Sequence, residues 1–302
     1  MYDIIIVGGG PAGLTAALYA LRANKTVLVI EKATFGGQIT YSPKVENYPG
    51  IPEASGNEIA EKLVDQVLSQ GAEVEMDTVL EIKDGEIKTV VTEGGEFKAK
   101  AVIIATGARH RMLGLPGEEK LVGEGISFCA VCDGAFYNGK HVGVVGGGNS
   151  ALQEALLLCE NAAKVTVIQN LPHFTGEQRL VDKLCANDKA EILLGTTVKG
   201  FLGDTELEGV VIKDEATGEE RELSLDGLFV AIGLIPQNEP FSSVLELNNY
   251  GYAAADEACT TKTAGVFVAG DCRTKRIRQV ATAVADGAVA ALAACEYIDD
   301  MK

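Results

Sequence analysis

A glycine pattern that occurs twice constrains this chain more than any other feature. A strand over 4–7 runs into Gly8-Gly9-Gly10-Pro11-Ala12-Gly13, a helix of small and apolar residues follows to about 23, and a second strand over 26–30 ends at Glu31. Strand, Gly-x-Gly-x-x-Gly, helix, strand and acid, in that order, describe a dinucleotide-binding unit. Gly8 permits the turn, Gly10 admits the backbone to a pyrophosphate at the helix N-terminus, and Gly13 lets the helix lie against the strand. Glu31 stands 31 − 8 = 23 residues after Gly8, near the offset of an acid that binds a ribose hydroxyl. The pattern returns as a strand over 142–145, Gly146-Gly147-Gly148-Asn149-Ser150-Ala151, a helix to about 159 and a strand over 165–168.

Each copy also closes alike. Residues 73–104 read as short strands broken by Asp84-Gly85 and Gly94-Gly95 and end at Ala105-Thr106-Gly107. Residues 207–230 read the same way around Thr217-Gly218 and end at Ala231-Ile232-Gly233. The distance from glycine motif to closing motif is 105 − 8 = 97 residues in the first copy and 231 − 146 = 85 in the second, which points to internal duplication. Between the motifs of the first copy, Ser55 and Glu58 have capping-box spacing, Ile59, Leu63 and Val67 recur every four residues, and Gly71 can end the helix. The tail returns to a strand over 266–269, then Gly270-Asp271, the basic residues Arg273, Lys275, Arg276 and Arg278, and a helix from about 281. An acid at a strand end before a helix can hold a sugar hydroxyl or serve as an ordinary helix cap.

Cys129-Ala-Val-Cys132-Asp133-Gly134 lies just before the second glycine motif. Two thiols separated by two residues can close a small disulfide ring, and the acid behind them could move the proton that thiol exchange requires. Zinc wants four ligands, but no second Cys-x-x-Cys exists and His110, His141 and His173 stand at no ligand spacing. Two small buried core residues are the other plain reading.

Charge and cysteine usage narrow the setting. Lys plus Arg is 26 and Asp plus Glu is 43, a formal net charge of −17, which argues against nonspecific binding to nucleic acid or anionic membrane. The seven cysteines are odd in number and, apart from the central pair, scattered, as in a reducing compartment. No charged-then-apolar leader pattern opens the chain and no run approaches a membrane span, so a cytoplasmic protein is expected.

The set Gly8-x-Gly10-x-x-Gly13, Gly37-Gln38, Glu46-Asn47-Tyr48-Pro49-Gly50, Ala105-Thr106-Gly107, Cys129-x-x-Cys132-Asp133-Gly134, Gly146-x-Gly148-x-x-Ala151, Gly270-Asp271 and Arg278-Gln279 resembles the low-molecular-weight thioredoxin reductases over nearly the whole chain. The resemblance implies an α/β fold of two Rossmann-like dinucleotide-binding domains of three-layer ββα type, the second inserted into the first. It implies an FAD domain over 1–113 and 242–302 and an inserted pyridine-nucleotide-type domain over 114–241 that carries the cysteines. By matched position, Gly8, Gly10, Pro11, Ala12 and Gly13 would hold the FAD pyrophosphate and Glu31 the adenosine ribose. Gly37, Gln38, Asn47, Ala105, Thr106, Gly107, Gly270, Asp271, Arg278, Gln279 and Val280 would line the flavin and its ribityl chain. Cys129 and Cys132 would be the disulfide that the flavin reduces and that a thioredoxin-like protein consumes. Asp133 would be the acid that protonates a leaving thiolate, unless it only caps a helix. A homodimer is expected.

One departure bears on the electron donor. The family follows its second nucleotide-domain strand with His-Arg-Arg-x-x-x-Arg, whose arginines pair with the 2′-phosphate of NADPH, and here that stretch is Gln169-Asn170-Leu171-Pro172-His173-Phe174-Thr175. Losing all three arginines removes the strong charge-assisted contacts. Gln169 occupies the offset of Glu31, 169 − 146 = 23, where an acid would select NADH. The expected donor is therefore reduced ferredoxin, as in the ferredoxin-dependent branch of the family, with NADH or NADPH second and a non-catalytic flavin module third. A ferredoxin is usually acidic, so a local positive face is required. Its candidates are Arg109, His110 and Arg111, with Arg273, Lys275 and Arg276.

Overall fold

A computed structural model describes residues 1–42 and 44–301. The chain divides into two compact units, Met1–Arg109 with Ile235–Lys302, and His110–Leu234. The crossings fall at 109/110 and 234/235, short of the 113/114 and 241/242 expected from sequence. Hydrophobic packing moves them. Leu113 and Leu115 lie against the core of the second unit, while Phe241, Val244 and Leu245 are buried in the first beside Ile82 and Val90.

In the first unit five strands run parallel, in the order Glu73–Met76, Val27–Glu31, Tyr2–Val7, Glu96–Ile104 and Val266–Val268. Helices Pro11–Arg22 and Val280–Asp300 pack with Ile4, Ile6, Val27 and Val29. Ile5, Val7, Leu28 and Ile30 face the other way, against an antiparallel meander of Val79–Lys83, Lys88–Thr92 and the start of Glu96–Ile104. Strands buried on both faces explain why these segments read as unbroken apolar runs rather than as alternation. Glu73–Met76, which sequence grouped with the short strands after it, is instead an edge strand of the parallel sheet, and all four of its residues are exposed.

Two helices show local sequence rules at work. Gly56–Ser69 opens on the expected capping box: Ser55 Oγ accepts from Glu58 N–H at 3.2 Å, and Glu58 Oε2 accepts from Ser55 N–H at 2.7 Å. Val280–Asp300 has 21 residues and includes an 18-residue stretch with a mean hydropathy of 1.3, enough in length and composition to cross a membrane, where no such run is expected from the sequence. Ala290, Ala291 and Ala294 are wholly buried in the first unit's core, and Gly287 comes so near the first helix that a Cβ would stand 2.2 Å from Ala12 O. This is a core helix packed through small residues.

The second unit repeats the plan. Ala190–Leu194, Lys164–Gln169, His141–Val145, Gly227–Val230 and Ile126–Ser127 run parallel in that order. Helices Asn149–Asn161 and Gln178–Cys185 cover one face, and the meander Thr196–Leu202, Gly209–Asp214, Glu220–Ser224 covers the other. The fold is α/β, two Rossmann-like units of three-layer ββα type with the second inserted into the first. The copies differ in their fifth strand: it follows the rest of its unit in the first, as Val266–Val268, and precedes them in the second, as Ile126–Ser127.

Candidate cofactor cradle and redox site

In the first unit the glycine loop is shaped by its own backbone. Gly8 has φ +112°, a conformation that favours glycine, and a Cβ there would stand 2.4 Å from Ala105 O. A Cβ on Gly13 would stand 1.9 Å from Gly8 O. Gly10 differs, because a Cβ there would meet no protein atom closer than 3.9 Å. The space above Gly10, at the N-terminus of Pro11–Arg22, is open and suits a pyrophosphate. Glu31 is fixed beside it: Oε2 accepts from Gly9 N–H at 2.7 Å and Oε1 from Ala33 N–H at 2.9 Å, leaving lone pairs for a ribose.

The remaining expected residues come from distant segments of the same unit. Gly37 packs against Gly10 and starts the 3-10 turn Gly37–Tyr41, on which Gln38 is exposed. Thr106, between Ala105 and Gly107, donates through Oγ1 to Asn238 Oδ1 at 3.2 Å. Gly270 takes φ +79° against Ala12. Asp271 holds a buried Oδ1 without a partner among the described residues. Burial raises its pKa, opposed by the charges of Lys275 and Arg278. An orphaned acceptor at this place fits a ligand hydroxyl. Arg278 lies 4.2 Å over the Tyr252 ring, Asn47 Nδ2 donates to Gln279 Oε1 at 3.2 Å, and Gln279 and Val280 form the N-cap and first turn of the last helix.

The positive face expected around the flavin segments is thinner than its sequence suggests. Arg273 is 8% exposed and is held by Asp286 through Nε at 3.0 Å and Nη2 at 3.2 Å. Lys275 gives Asp286 a third cationic contact at 2.9 Å. His110 stacks on Phe128, and burial lowers its pKa to about 4, so it is neutral at pH 7. Arg109, Arg111 and Arg276 remain exposed.

In the second unit Cys129 and Cys132 are joined as a disulfide with their Cα atoms 5.3 Å apart, at the start of the short helix Ala130–Asp133. Asp133 stands at the N-cap of the 3-10 turn Gly134–Tyr137, but its side chain makes no capping hydrogen bond. Its Oδ2 accepts from Ser127 Oγ at 2.6 Å, and Oδ1 is buried without a partner among the described residues. Burial raises its pKa against the opposing Ser127 bond, which suits an acid that delivers a proton. Val131, between the cysteines, is 59% exposed.

The second glycine loop keeps its turn, with Gly146 at φ +134°, but its surroundings have changed. Gln169 is buried, its Nε2 donates to His173 O at 3.2 Å, and a Cβ on Gly147 would stand 2.4 Å from the Gln169 amide. Thr175 and Gly176 N–H both donate to Gly147 O, at 2.8 and 3.1 Å, and Glu177 N–H donates to Asn149 Oδ1 at 2.7 Å. The nearest arginine in sequence, Arg179, is paired with Glu177.

Ser127, Asn238 and Asp286 were not legible as site residues. Ser127 and Asn238 carry no motif. Asp286 did leave a signal, as the sole charged residue between Gln279 and Glu296 in an apolar helix.

The sequence profile of the pyridine nucleotide-disulphide oxidoreductases matches residues 2–287. The chain is 41% identical to a thioredoxin reductase of Bacillus subtilis over all of its own length and 96% of that protein's. It is 42% identical to a Clostridium pasteurianum protein described as a 34.2 kDa protein in the rubredoxin operon, over 98% of this chain and 97% of that one. The crystal structure of Streptococcus pyogenes thioredoxin reductase superposes with a TM-score of 0.95 at 39% identity, covering 99% of each chain. With the paired glycine loops and the Cys129–Cys132 disulfide, these likenesses make the chain a member of the pyridine nucleotide-disulphide oxidoreductases, in their FAD-binding thioredoxin reductase branch.

Proposed function

We propose that this thioredoxin reductase takes its electrons from reduced ferredoxin and passes them through FAD and the Cys129–Cys132 disulfide to thioredoxin. Bound FAD can accept electrons singly and deliver them in pairs, which a one-electron donor and a disulfide acceptor together require. Gly8, Gly10, Pro11, Ala12 and Gly13 hold the pyrophosphate at the helix N-terminus and Glu31 the adenosine ribose. Asp271, with its orphaned oxygen, takes a ribityl hydroxyl. Gly37, Gln38, Asn47, Ala105, Thr106, Gly107, Gly270, Arg278, Gln279 and Val280 line the rest. One of the two cysteines attacks the thioredoxin disulfide and the other resolves the mixed disulfide, with Asp133 moving the proton. A cytoplasmic homodimer, one FAD domain over 1–109 and 235–302, and an inserted domain over 110–234 complete the reading.

The observation that carries the donor assignment is the Gln169–Thr175 segment, which has no arginine, and the Gln169 side chain, buried and bonded to His173 O. Pyridine nucleotide is the second reading. It is favoured by the retained Gly146–Ala151 loop and by the NADPH dependence typical of related thioredoxin reductases. Anaerobic mixing with reduced ferredoxin, NADPH and NADH in turn tests the assignment. Flavin bleaching by ferredoxin alone is expected, and rapid bleaching by micromolar NADPH with no response to ferredoxin would overturn it.

A further inference from the structure

One hydroxyl joins both ends of the redox turn. Ser127 is 6% exposed and closes the short strand Ile126–Ser127, where it pairs with Phe229 of the neighbouring strand. Its Oγ accepts from Cys129 N–H at 3.1 Å and donates to Asp133 Oδ2 at 2.6 Å. The backbone closes the same ring from the other side, since Cys129 O accepts from Asp133 N–H at 3.0 Å. Cys132 lies between them in the chain, and its N–H donates to Cys129 Sγ at 3.2 Å.

The direction of the Ser127 hydroxyl follows from its partners. A backbone N–H can only donate, so Oγ accepts from Cys129, and its single proton is left for Asp133. A proton on Asp133 Oδ2 would turn the Ser127 proton away to no partner, which is costly for a buried donor. Oδ2 is therefore an acceptor whether or not the acid is protonated. Oδ1 is buried and has no partner among the described residues. It is the oxygen on which an acid proton can sit free to leave.

We propose that Ser127 is a positioning residue of the redox site, holding Asp133 so that its transferable proton resides on Oδ1 and reaches the exchanging sulfur from there. That role rests on the reading of Cys129 and Cys132 as the redox pair. In the reduced pair one sulfur is a thiolate and the other a thiol. The thiolate attacks the thioredoxin disulfide: a mixed S–S bond forms, the thioredoxin S–S bond breaks, and the departing thioredoxin sulfur takes the proton of Asp133. The remaining enzyme thiol then gives its proton to Asp133 and attacks the mixed disulfide, which reforms Cys129–Cys132 and releases the second thioredoxin sulfur as a thiolate. Two electrons pass to thioredoxin, the Asp133 proton is restored, and the negative charge leaves with the product. Oδ2 stays bonded to Ser127 in both protonation states, which keeps Oδ1 turned the same way.

A double-mutant cycle between Ser127→Ala and Asp133→Asn tests this. Each holoenzyme is reduced with dithiothreitol, freed of it and mixed with thioredoxin disulfide for a single turnover, and alkylated thioredoxin thiols are counted by mass spectrometry. Ser127→Ala is expected to slow exchange about tenfold, the worth of one hydrogen bond, in otherwise wild-type protein, and to change it less than about twofold in Asp133→Asn. A serine that merely braced the turn at Cys129 would cost the same in both backgrounds, and that result, or no slowing in either, overturns the proposal while leaving the redox pair intact. Reduced wild type that does not exchange with thioredoxin overturns both. If Ser127→Ala does not fold, infrared spectra of the wild type decide instead. The carbonyl band of protonated Asp133, identified by its absence in Asp133→Asn, should lie at the lower frequency of a C=O that accepts a hydrogen bond, and the frequency of a free C=O overturns the proposal.

Discussion

Asp286 grips Arg273 from the side, accepting from Nε at 3.0 Å and from Nη2 at 3.2 Å, and the same carboxylate accepts from Gly270 N–H at 3.0 Å. A residue on the last helix therefore fixes the turn that presents Asp271. Asp286→Asn should leave Arg273 and Lys275 as buried charges without a full counter-charge and cost about 3–5 kcal/mol. Calorimetry should show a lower Tm, and flavin release should accompany it. Burial raises the Asp286 pKa, but the hydrogen bonds from Arg273 and Lys275 outweigh it, so the folded value lies below the ordinary carboxylate value. This stabilisation is then complete above the unfolded-state pKa and is lost as pH falls through the folded one. The acid unfolding midpoint should move to higher pH in Asp286→Asn.

Two glycines of one motif should respond differently to the same substitution. Gly13→Ala places a methyl 1.9 Å from Gly8 O, in rigid backbone, and should destabilise the apoprotein by about 1–3 kcal/mol or more. Gly10→Ala meets only open space in the protein and should leave the apoprotein Tm unchanged while weakening FAD binding. Equal loss of apoprotein stability in both variants would remove the case for a cofactor above Gly10.

Cys129→Ser and Cys132→Ser should each keep FAD and lose thioredoxin reduction, because exchange needs an attacking and a resolving thiol. Cys185→Ser, at an exposed free thiol, should turn over normally. Asp133→Asn should lower kcat by about 10²–10⁴-fold. In the wild type, burial holds the Asp133 proton to higher pH than an ordinary carboxylate. The rate limb that falls as pH climbs through that raised pKa should vanish in the variant.

Restoring arginine at Asn170, Leu171 and Thr175 should bring NADPH affinity back. Each charge-assisted contact is worth about 1.5–3 kcal/mol, so even one productive arginine should give about tenfold or more in flavin reduction at low NADPH. Reduction by ferredoxin should be unaffected. A triple variant that NADPH still fails to reduce would mean that the buried Gln169 side chain, rather than missing charge, closes the site.

The sequence carried the fold where local rules and tertiary packing agree. The glycine loops needed positive φ and close approach, and the Ser55 capping box formed as its spacing required. It carried less where a partner lies far along the chain. Glu73–Met76 offers only exposed side chains, so nothing in its pattern distinguishes a parallel edge strand from a meander strand. Arg273 and Lys275 look like a solvated basic run until Asp286 is folded against them, and the half-buried His110 cannot be told from an exposed one by composition. The acidity of Asp133 likewise depends on Ser127 and on burial, neither of which has a motif.

The return of Val266–Val268 to pair with Val102–Ile104 has a consequence for biosynthesis. The two partners are 266 − 102 = 164 residues apart. On a ribosome the inserted unit emerges whole while its host still lacks a strand and its longest helix. The host's helical face, Ile4, Ile6 and Leu14 among its residues, then waits for Ala290 and Ala294 to be made. Nascent chains stalled near residue 275 should present a protease-resistant inserted unit beside a protease-sensitive host, with flavin capture delayed until synthesis ends.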